Sequence, residues 1–388
     1  MSPEFLTACA GAMCAAFLMA VALVLTKGWH GALSMDSDTG IQRSHDAPTP
    51  RIGGVSLLFG LLAGLLLLDG EAQKLLGLIL ACAVPAFVSG FIEDITKVVS
   101  PRKRLLAALA SGALFLGFGG VLTPLAGALL PPGAPAWVEV AVFSLGGFGI
   151  VVGLAGTTNA VNIIDGFHGL AAGSLLIMSA TLAGLAALEG DMVLVAAISV
   201  FAVAILGFGL VNFPGGFLFL GDGGAYLAGF VLGAFAVLLA ARTDVSAFVS
   251  ILVMAYPVYE TLFSMVRKSR REGWSPMQPD GVHLHKLVER RFGRFIAYGL
   301  EKPSLKNPIT GALMWPFSLV AACLAIMAQG TNIGGVIGLL IFALFYTRVY
   351  RVVSLQRRSF MQGYARRRGW DERERYVRAR RDKRGECR

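Results

Sequence analysis

GLAAGSLLIMSATLAGLAALEGDMVLVAAISVFAVAILGFGLVN, residues 169–212, decides the fold class. It covers most of two apolar runs, 167–188 and 192–211, parted only by Glu189, Gly190 and Asp191. Neither run contains Asp, Glu, Lys or Arg. A helix crosses the hydrocarbon core of a bilayer with about 20 consecutive apolar residues, so each run is long enough to span. Nine further runs flank this pair: 5–26, 52–68, 75–92, 105–123, 137–158, 223–241, 245–265, 310–328 and 332–350. Most are uncharged; Glu139 and Glu260 sit near span ends, where contact with the headgroups lowers the cost of a carboxylate. The whole chain repeats the pattern. Of its 388 residues 55% are hydrophobic and 15% charged, against about 25% charged in soluble domains. Its mean hydropathy is +0.68. No soluble fold of this size hides so much apolar surface, which excludes a soluble enzyme, a nucleic-acid-binding protein and a disordered chain.

The reading is therefore an all-α polytopic membrane protein with about eleven transmembrane helices. Residues 1–355 form one membrane domain, and 356–388 an Arg-rich tail on anionic lipid. The first run lacks a preceding basic segment and a clear cleavage site, so it reads as a retained helix. Eleven crossings put the termini on opposite sides. Of the 34 Lys and Arg residues, 32 fall in the linkers after odd-numbered spans or from Arg348 to the C-terminus. Only Lys74 and Arg242 lie on the other side. Basic loops stay cytoplasmic, so the N-terminus is expected in the periplasm and the C-terminus in the cytoplasm. The net charge of +10 then belongs to loops facing an anionic membrane surface. The five cysteines show no CxxC pair and read as packing residues, not a disulfide framework.

A transporter often places ionisable groups along a midplane pathway. Here the unusual polar residues gather at span ends, all on the basic side, in loops 27–51, 93–104, 156–167, 211–223 and 266–309. PTPRIGG, 48–54, offers Gly53 and Gly54 for close backbone approach, or is simply a helix entry with a basic flank. FIEDITK, 91–97, sets Glu93 and Asp94 about 100° apart on a helix, with Lys97 following; it suits a divalent cation or a phosphate, or is a helix-end charge cluster. GTTNAVNIIDGFHGLAAG, 156–173, repeats Asn159, Asn162 and Asp165 every third residue, a spacing that shares one helix face. That loop has no Lys or Arg, unusual for its side, and reads as an inward-folded polar surface holding His168. VNFPGGFLFLGDGGAY, 211–226, puts Asp222 between glycines at the mouth of a span, as a hard-cation ligand or an N-cap. PDGVHLHKLVERR, 279–291, sets His283 and His285 beside Lys286 and Arg290, a group better suited to pyrophosphate than to zinc, which needs three or four ligands.

Taken in order, these clusters resemble the polyprenyl-phosphate N-acetylhexosamine-1-phosphate transferases, glycosyltransferase family 4. NAVNIIDGFHGLA and FLGDGGAYLAGF are the most specific segments. PRIGG and HLHKLVERR look like the WecA/WbpL/TagO-like branch; the related MraY proteins usually show PTMGG and three successive histidines. The resemblance implies a multi-pass enzyme of the bacterial inner membrane with its active site on the cytoplasmic side. It would move N-acetylhexosamine 1-phosphate from a UDP-sugar to undecaprenyl phosphate, release UMP and initiate a cell-envelope glycan. It implies Mg2+, with Mn2+ as an alternative, membrane lipid as surroundings, no nucleic-acid partner, and leaves a homodimer open. It places catalysis on Asp94, Glu93 and Asp165 and the metal on Asp222. It places substrate binding on Lys97, Arg104, Asn159, Asn162, Asn212, Phe219 (stacking on uracil), His283, His285 and Arg290. Three positions depart from the family pattern: Glu93 replaces an Asp, His168 an acid and Lys286 a third histidine. Glu93's longer arm shifts the general-base expectation to Asp94. The competing readings are a lipid-linked or nucleotide-sugar transporter or flippase, a non-catalytic scaffold, and an MraY-type transferase for a muramoyl-pentapeptide donor.

Overall fold

The structure is a computed structural model that describes residues 3–34, 49–127, 130, 133–270, 282–328 and 331–355. The Arg-rich tail, Cys387, most of loop 27–51 and residues 271–281 of loop 266–309 lie outside the described residues. Sixteen α-helices are assigned among the described residues. They are α1 (Pro3–Leu25), α2 (Lys27–Ser34), α3 (Gly53–Leu67), α4 (Gly70–Thr96), α5 (Pro101–Phe118), α6 (Leu122–Gly127), α7 (Ala136–Ile164) and α8 (Leu170–Leu188). There follow α9 (Met192–Asn212), α10 (Gly221–Arg242), α11 (Ala247–Val253), α12 (Ala255–Ser269), α13 (Leu284–Val288), α14 (Arg294–Gly299), α15 (Lys306–Met327) and α16 (Asn332–Leu355).

All eleven apolar runs are helical, but they do not all make straight, full-length spans. Eight helices are long and apolar enough to cross a membrane: α1, α4, α7, α8, α9, α10, α15 and α16. The run 245–265, read as one span, is two helices, α11 and α12, bent by 81°. The run 52–68 forms the 15-residue α3. At 1.5 Å per residue that is roughly 22 Å, short of a hydrocarbon core of about 30 Å. The run 105–123 forms α5, which starts with Ser100 as N-cap and Pro101 in the first turn and stops at Phe118, before Gly119 and Gly120. Its first turn carries Arg102, Lys103 and Arg104.

α10 lies at the centre, buried along most of its length and packed mainly against α4 and α7, with further contact to α3 and α8. α1 packs on α3 and α9, and α8 on α9. Leu18, Leu66, Trp137, Phe148, Leu188 and Leu344 stand exposed on the outside, where a bilayer solvates them. Without a hydrophobic drive between helices in lipid, close packing through small residues becomes the main glue. The crossing of α3 and α10 shows it. A Cβ added to Gly54 would lie 2.5 Å from the Gly224 Cα, and one added to Gly224 would lie 2.7 Å from the Gly54 Cα. Two backbones cannot approach so closely with a side chain between them. At the opposite end of the bundle Asp191 accepts from Leu194 N–H and pairs with Arg242 at 2.6 Å, tying the start of α9 to the end of α10.

Gly54→Val forces α3 away from α10. Overpacking of this kind costs about 1–3 kcal/mol, so the melting temperature of the purified protein in detergent should fall by several degrees. An unchanged melting curve would contradict the tight crossing.

Candidate active site

The first amides of a helix lack intrahelical partners and carry partial positive charge. A polar side chain at the N-cap can supply one such partner, as Ser100 does for α5 and Asp191 for α9. At α10 the residue before the helix is Leu220, which offers no cap, and Gly221 takes a left-handed φ of +76°. The cap comes from two other helices. Asp94, near the end of α4, accepts from Asp222 N–H through Oδ1 at 2.8 Å and from Gly223 N–H through Oδ2 at 2.9 Å. Asp165, just after α7, accepts from Gly221 N–H. Gly221 is required here twice over: its φ disfavours any side chain, and a Cβ would lie 2.6 Å from Asp94 Oδ2.

Asp222 is thus not the N-cap that its place in the sequence allows. Its carboxylate turns to two arginines, with Arg51 Nη2 at 3.4 Å from Oδ1 and Arg104 Nη1 in contact with Oδ2. Arg51 is held in place by backbone pairing. Phe219 N–H donates to Pro50 O, and Gly53 and Gly54 N–H donate to Phe219 O and Leu220 O, at 2.8–2.9 Å. This ladder lays residues 50–54 against 219–220 and gives the first two amides of α3 their partners. Arg104 Nε is buried without a hydrogen-bond partner. Burial is the main force pushing the Asp165 carboxyl up to about 7, with the Asp222 charge adding to it; Arg51 and the Gly221 amide oppose them. Although part of the residue stays accessible, its carboxyl end lies among buried neighbours.

The loops after α7 and α9 are fastened by Asn212, which is 5% exposed. Its Oδ1 accepts from Gly169 N–H at 2.7 Å and its Nδ2 donates to Leu218 O at 2.8 Å. His168 bonds to Pro214 O through Nδ1 at 3.1 Å and stacks, tilted by 34°, on half-buried Phe219. Burial lowers the His168 pKa, so the ring is neutral at pH 7.

A second carboxylate organises the histidine loop. Glu260 of α12 is 1% exposed. Its Oε1 accepts from Leu284 N–H at 2.9 Å and faces His283 Nδ1 at 3.1 Å; its Oε2 accepts from the Tyr346 hydroxyl of α16 at 2.7 Å. His285 Nδ1 lies 3.7 Å from the same Oε1, and its ring packs edge-on against Phe167, beside Asp165 and Gly166. Burial drives the His285 pKa down to about 3, so this ring is uncharged at neutral pH.

The structure therefore brings together one member of every polar cluster: Arg51, Asp94, Asp165 and Asp222 directly, with His285 alongside through Gly166 and Phe167. Other candidates are placed differently. Glu93 turns back to accept from Val99 N–H at 2.7 Å, and Lys97 Nζ contacts Asp94 O. Asn159 bonds to Ala155 O of its own helix, and Asn162 to the Tyr226 side chain. Arg290 is exposed, and the structure gives it no ion pair among the described residues. The sequence reading passed over Arg51, valuing only the glycines beside it; an arginine wedged between proline and a Gly-Gly helix start was the available signal. It took Glu260 for a span-end charge, although a lone carboxylate in an apolar run marks function. No group of three His, Cys, Asp or Glu side chains that could hold a metal occurs among the described residues.

Residues 76–240 match the family described as Glycosyl transferase family 4. That stretch holds Asp94, Arg104, Asp165 and Asp222. The chain is 28% identical over 277 residues to the "Probable undecaprenyl-phosphate N-acetylglucosaminyl 1-phosphate transferase" of Bacillus subtilis, covering 70% of this chain and 71% of the relative. It is 33% identical over 275 residues to the decaprenyl-phosphate N-acetylglucosaminephosphotransferase of Mycolicibacterium smegmatis, covering 62% of this chain and 65% of the relative. It is also 33% identical over 210 residues to the phospho-N-acetylmuramoyl-pentapeptide-transferase of Rubrobacter xylanophilus, covering 50% and 61%. The chain thus spans about two thirds of the length of these relatives. The family resemblance read from the motifs is borne out, and together with its apolar helices it makes the chain a multi-pass membrane protein.

Asp94→Asn keeps the shape but offers one acceptor oxygen where two amides are buried. An unsatisfied buried amide costs about 1–3 kcal/mol, so the variant should melt several degrees below the wild type. Asp94→Asn with an unaltered melting temperature would refute the capping geometry.

Proposed function

We propose that this chain, as a relative of polyprenyl-phosphate sugar-1-phosphate transferases, moves N-acetylhexosamine 1-phosphate from a UDP-sugar to undecaprenyl phosphate and so initiates a cell-envelope glycan. What carries this reading is one geometry: a helix N-terminus, two arginines and three carboxylates meeting at one end of the bundle. Both substrates are anions, and their mutual repulsion must be cancelled before they react. Phosphoryl transfer depends chiefly on positioning and electrostatic stabilisation, which this arrangement supplies.

In the proposed reaction an oxygen of the lipid phosphate attacks the sugar-bearing phosphorus. The bond from that phosphorus to the UMP oxygen breaks, and UMP leaves with the electron pair. One phosphoanhydride replaces another, so no ATP is needed. Arg104, whose Nε lacks a partner, and Arg51 hold the phosphates. Asp94 and Asp165 fix the tip of α10 beside the attacking phosphate, where Asp94 would orient or deprotonate it; Lys97 lies at the edge of the same site. Phe219 and His168 offer ring faces to the uracil. The bilayer keeps the isoprenoid chain, while the UDP-sugar arrives from the side rich in Lys and Arg. Basic loops stay inside, which puts that side in the cytoplasm, at an inner membrane.

The resemblance implies Mg2+ here. The donor set fits a hard cation that keeps water and substrate phosphate in its shell. It would offer Asp222, with Asp165 adjacent, once Arg51 and Arg104 turn from it to the substrate phosphates; Asp94 spends both oxygens on amides that cannot turn away. When bound, the ion would neutralise pyrophosphate charge. The Rubrobacter relative keeps a muramoyl-pentapeptide donor as the second reading.

Mass spectrometry of lipid products from the purified protein, given undecaprenyl phosphate and a panel of UDP-sugars with a muramoyl-pentapeptide donor included, separates these readings; no lipid-linked product from any donor would overturn the proposal. Asp222→Asn should nearly abolish UMP release, as should removal of divalent ions with a chelator. Wild-type turnover in the variant would remove Asp222 from the site. Asp94→Asn should slow turnover by about 10²-fold or more if its charge handles a proton.

A further inference from the structure

Glu260 is a carboxylate of this region that the reaction above does not use, and it is more deeply buried than any of those it does use. An isolated buried carboxylate is costly unless hydrogen bonds compensate it. Here they come from three sides: Leu284 N–H, the Tyr346 hydroxyl and His283. The carboxylate accepts at His283 Nδ1, so the proton of the neutral ring sits on Nδ1 and the lone pair on Nε2. His283 and His285 lie nearly parallel, 5.3 Å apart and 9° from coplanar orientation, with both Nδ1 edges turned to Glu260 Oε1. Their Nε2 edges therefore point away from it together. For His285 the direction is fixed by a neighbour: Nε2 would lie 3.5 Å from a Cβ placed on Gly166, beside Asp165.

We propose that Glu260 is a positioning residue for the transferase reaction. It anchors the histidine loop to α12 and α16, sets the His283 tautomer and directs its Nε2 lone pair toward a hydroxyl or amide N–H of the sugar. Tyr346 fills the second oxygen and keeps the carboxylate from rotating. Held in this tautomer, the His283 ring can accept a hydrogen bond or a proton at Nε2. His285, held neutral, completes the stack without adding charge. This inference rests on the transferase reading.

The experiment is a double-mutant cycle on the full-length protein in lipid nanodiscs, reading UMP release. Glu260→Gln, which keeps the size, should lower kcat by about 10–100-fold, the usual loss when a histidine's orienting partner is removed. Its KM for the UDP-sugar should stay within about threefold, as expected of a group acting in the transition state. His283→Ala should cost about 10²-fold, as loss of a positioned acid–base group does. Adding Glu260→Gln to His283→Ala should cost less than about threefold more, because coupled residues are not additive. A Glu260→Gln variant with wild-type kcat, or a double variant showing the full product of both losses, overturns the inference while the transferase reading stands. An inert wild type overturns the reading and the inference with it. If Glu260→Gln does not accumulate, His283→Asn serves instead, since it keeps a donor at the Nδ1 position and lacks Nε2. Its kcat should match that of His283→Ala within about threefold, and wild-type kcat there overturns the inference.

Discussion

Three amides at the start of α10 depend on carboxylates borrowed from other helices. Asp94 from α4 takes those of Asp222 and Gly223, and Asp165 from the end of α7 takes that of Gly221. In a membrane protein an unsatisfied amide at a helix end is expensive, and a buried carboxylate is expensive as well. Each cost offsets the other here, and the arrangement also fixes where three helix ends meet. The positive end of α10 is thereby covered on its axis, while the Asp222 side chain is left at the side to face Arg51 and Arg104.

The surrounding structure builds on that junction. Pairing of residues 50–54 with 219–220 brings Arg51 over the helix start, and the Gly54–Gly224 crossing holds α3 close enough for the pairing to form. Asn212 closes the next layer by bonding to backbone on both loops, which sets His168 against Phe219. The histidine loop joins from the other side under the hold of Glu260 and Tyr346. Negative and positive groups thus sit interleaved at one end of the bundle, with Arg104 mostly buried and Arg51 partly open beside Asp222.

Much of this was legible in the chain. Apolar length identified the helices, and the absence of Lys and Arg from 156–173 and 211–226 marked the loops that fold inward. Asp94, Asp165 and Asp222 stood out by residue type and place at helix tips. What the sequence did not reveal was which partner each would take. Asp94 and Asp165 proved to be caps in trans, a pairing between residues more than fifty positions apart that no local spacing encodes. Asn212 looked like a ligand-binding amide, yet both ends of its amide group are used by backbone. The bend at Met254 was hidden because an apolar run reads the same whether straight or broken. Glu260 was visible but misjudged, since burial depends on α16, eighty-six residues further on.

Hydrogen–deuterium exchange across residues 218–226 tests the junction most directly. The account predicts that the amides of Gly221, Asp222 and Gly223 exchange slowly in the wild type, and that they lose their protection when Asp94 and Asp165 are both replaced by alanine while the middle of α10 stays protected. Rapid exchange at those three amides in the wild type would contradict it.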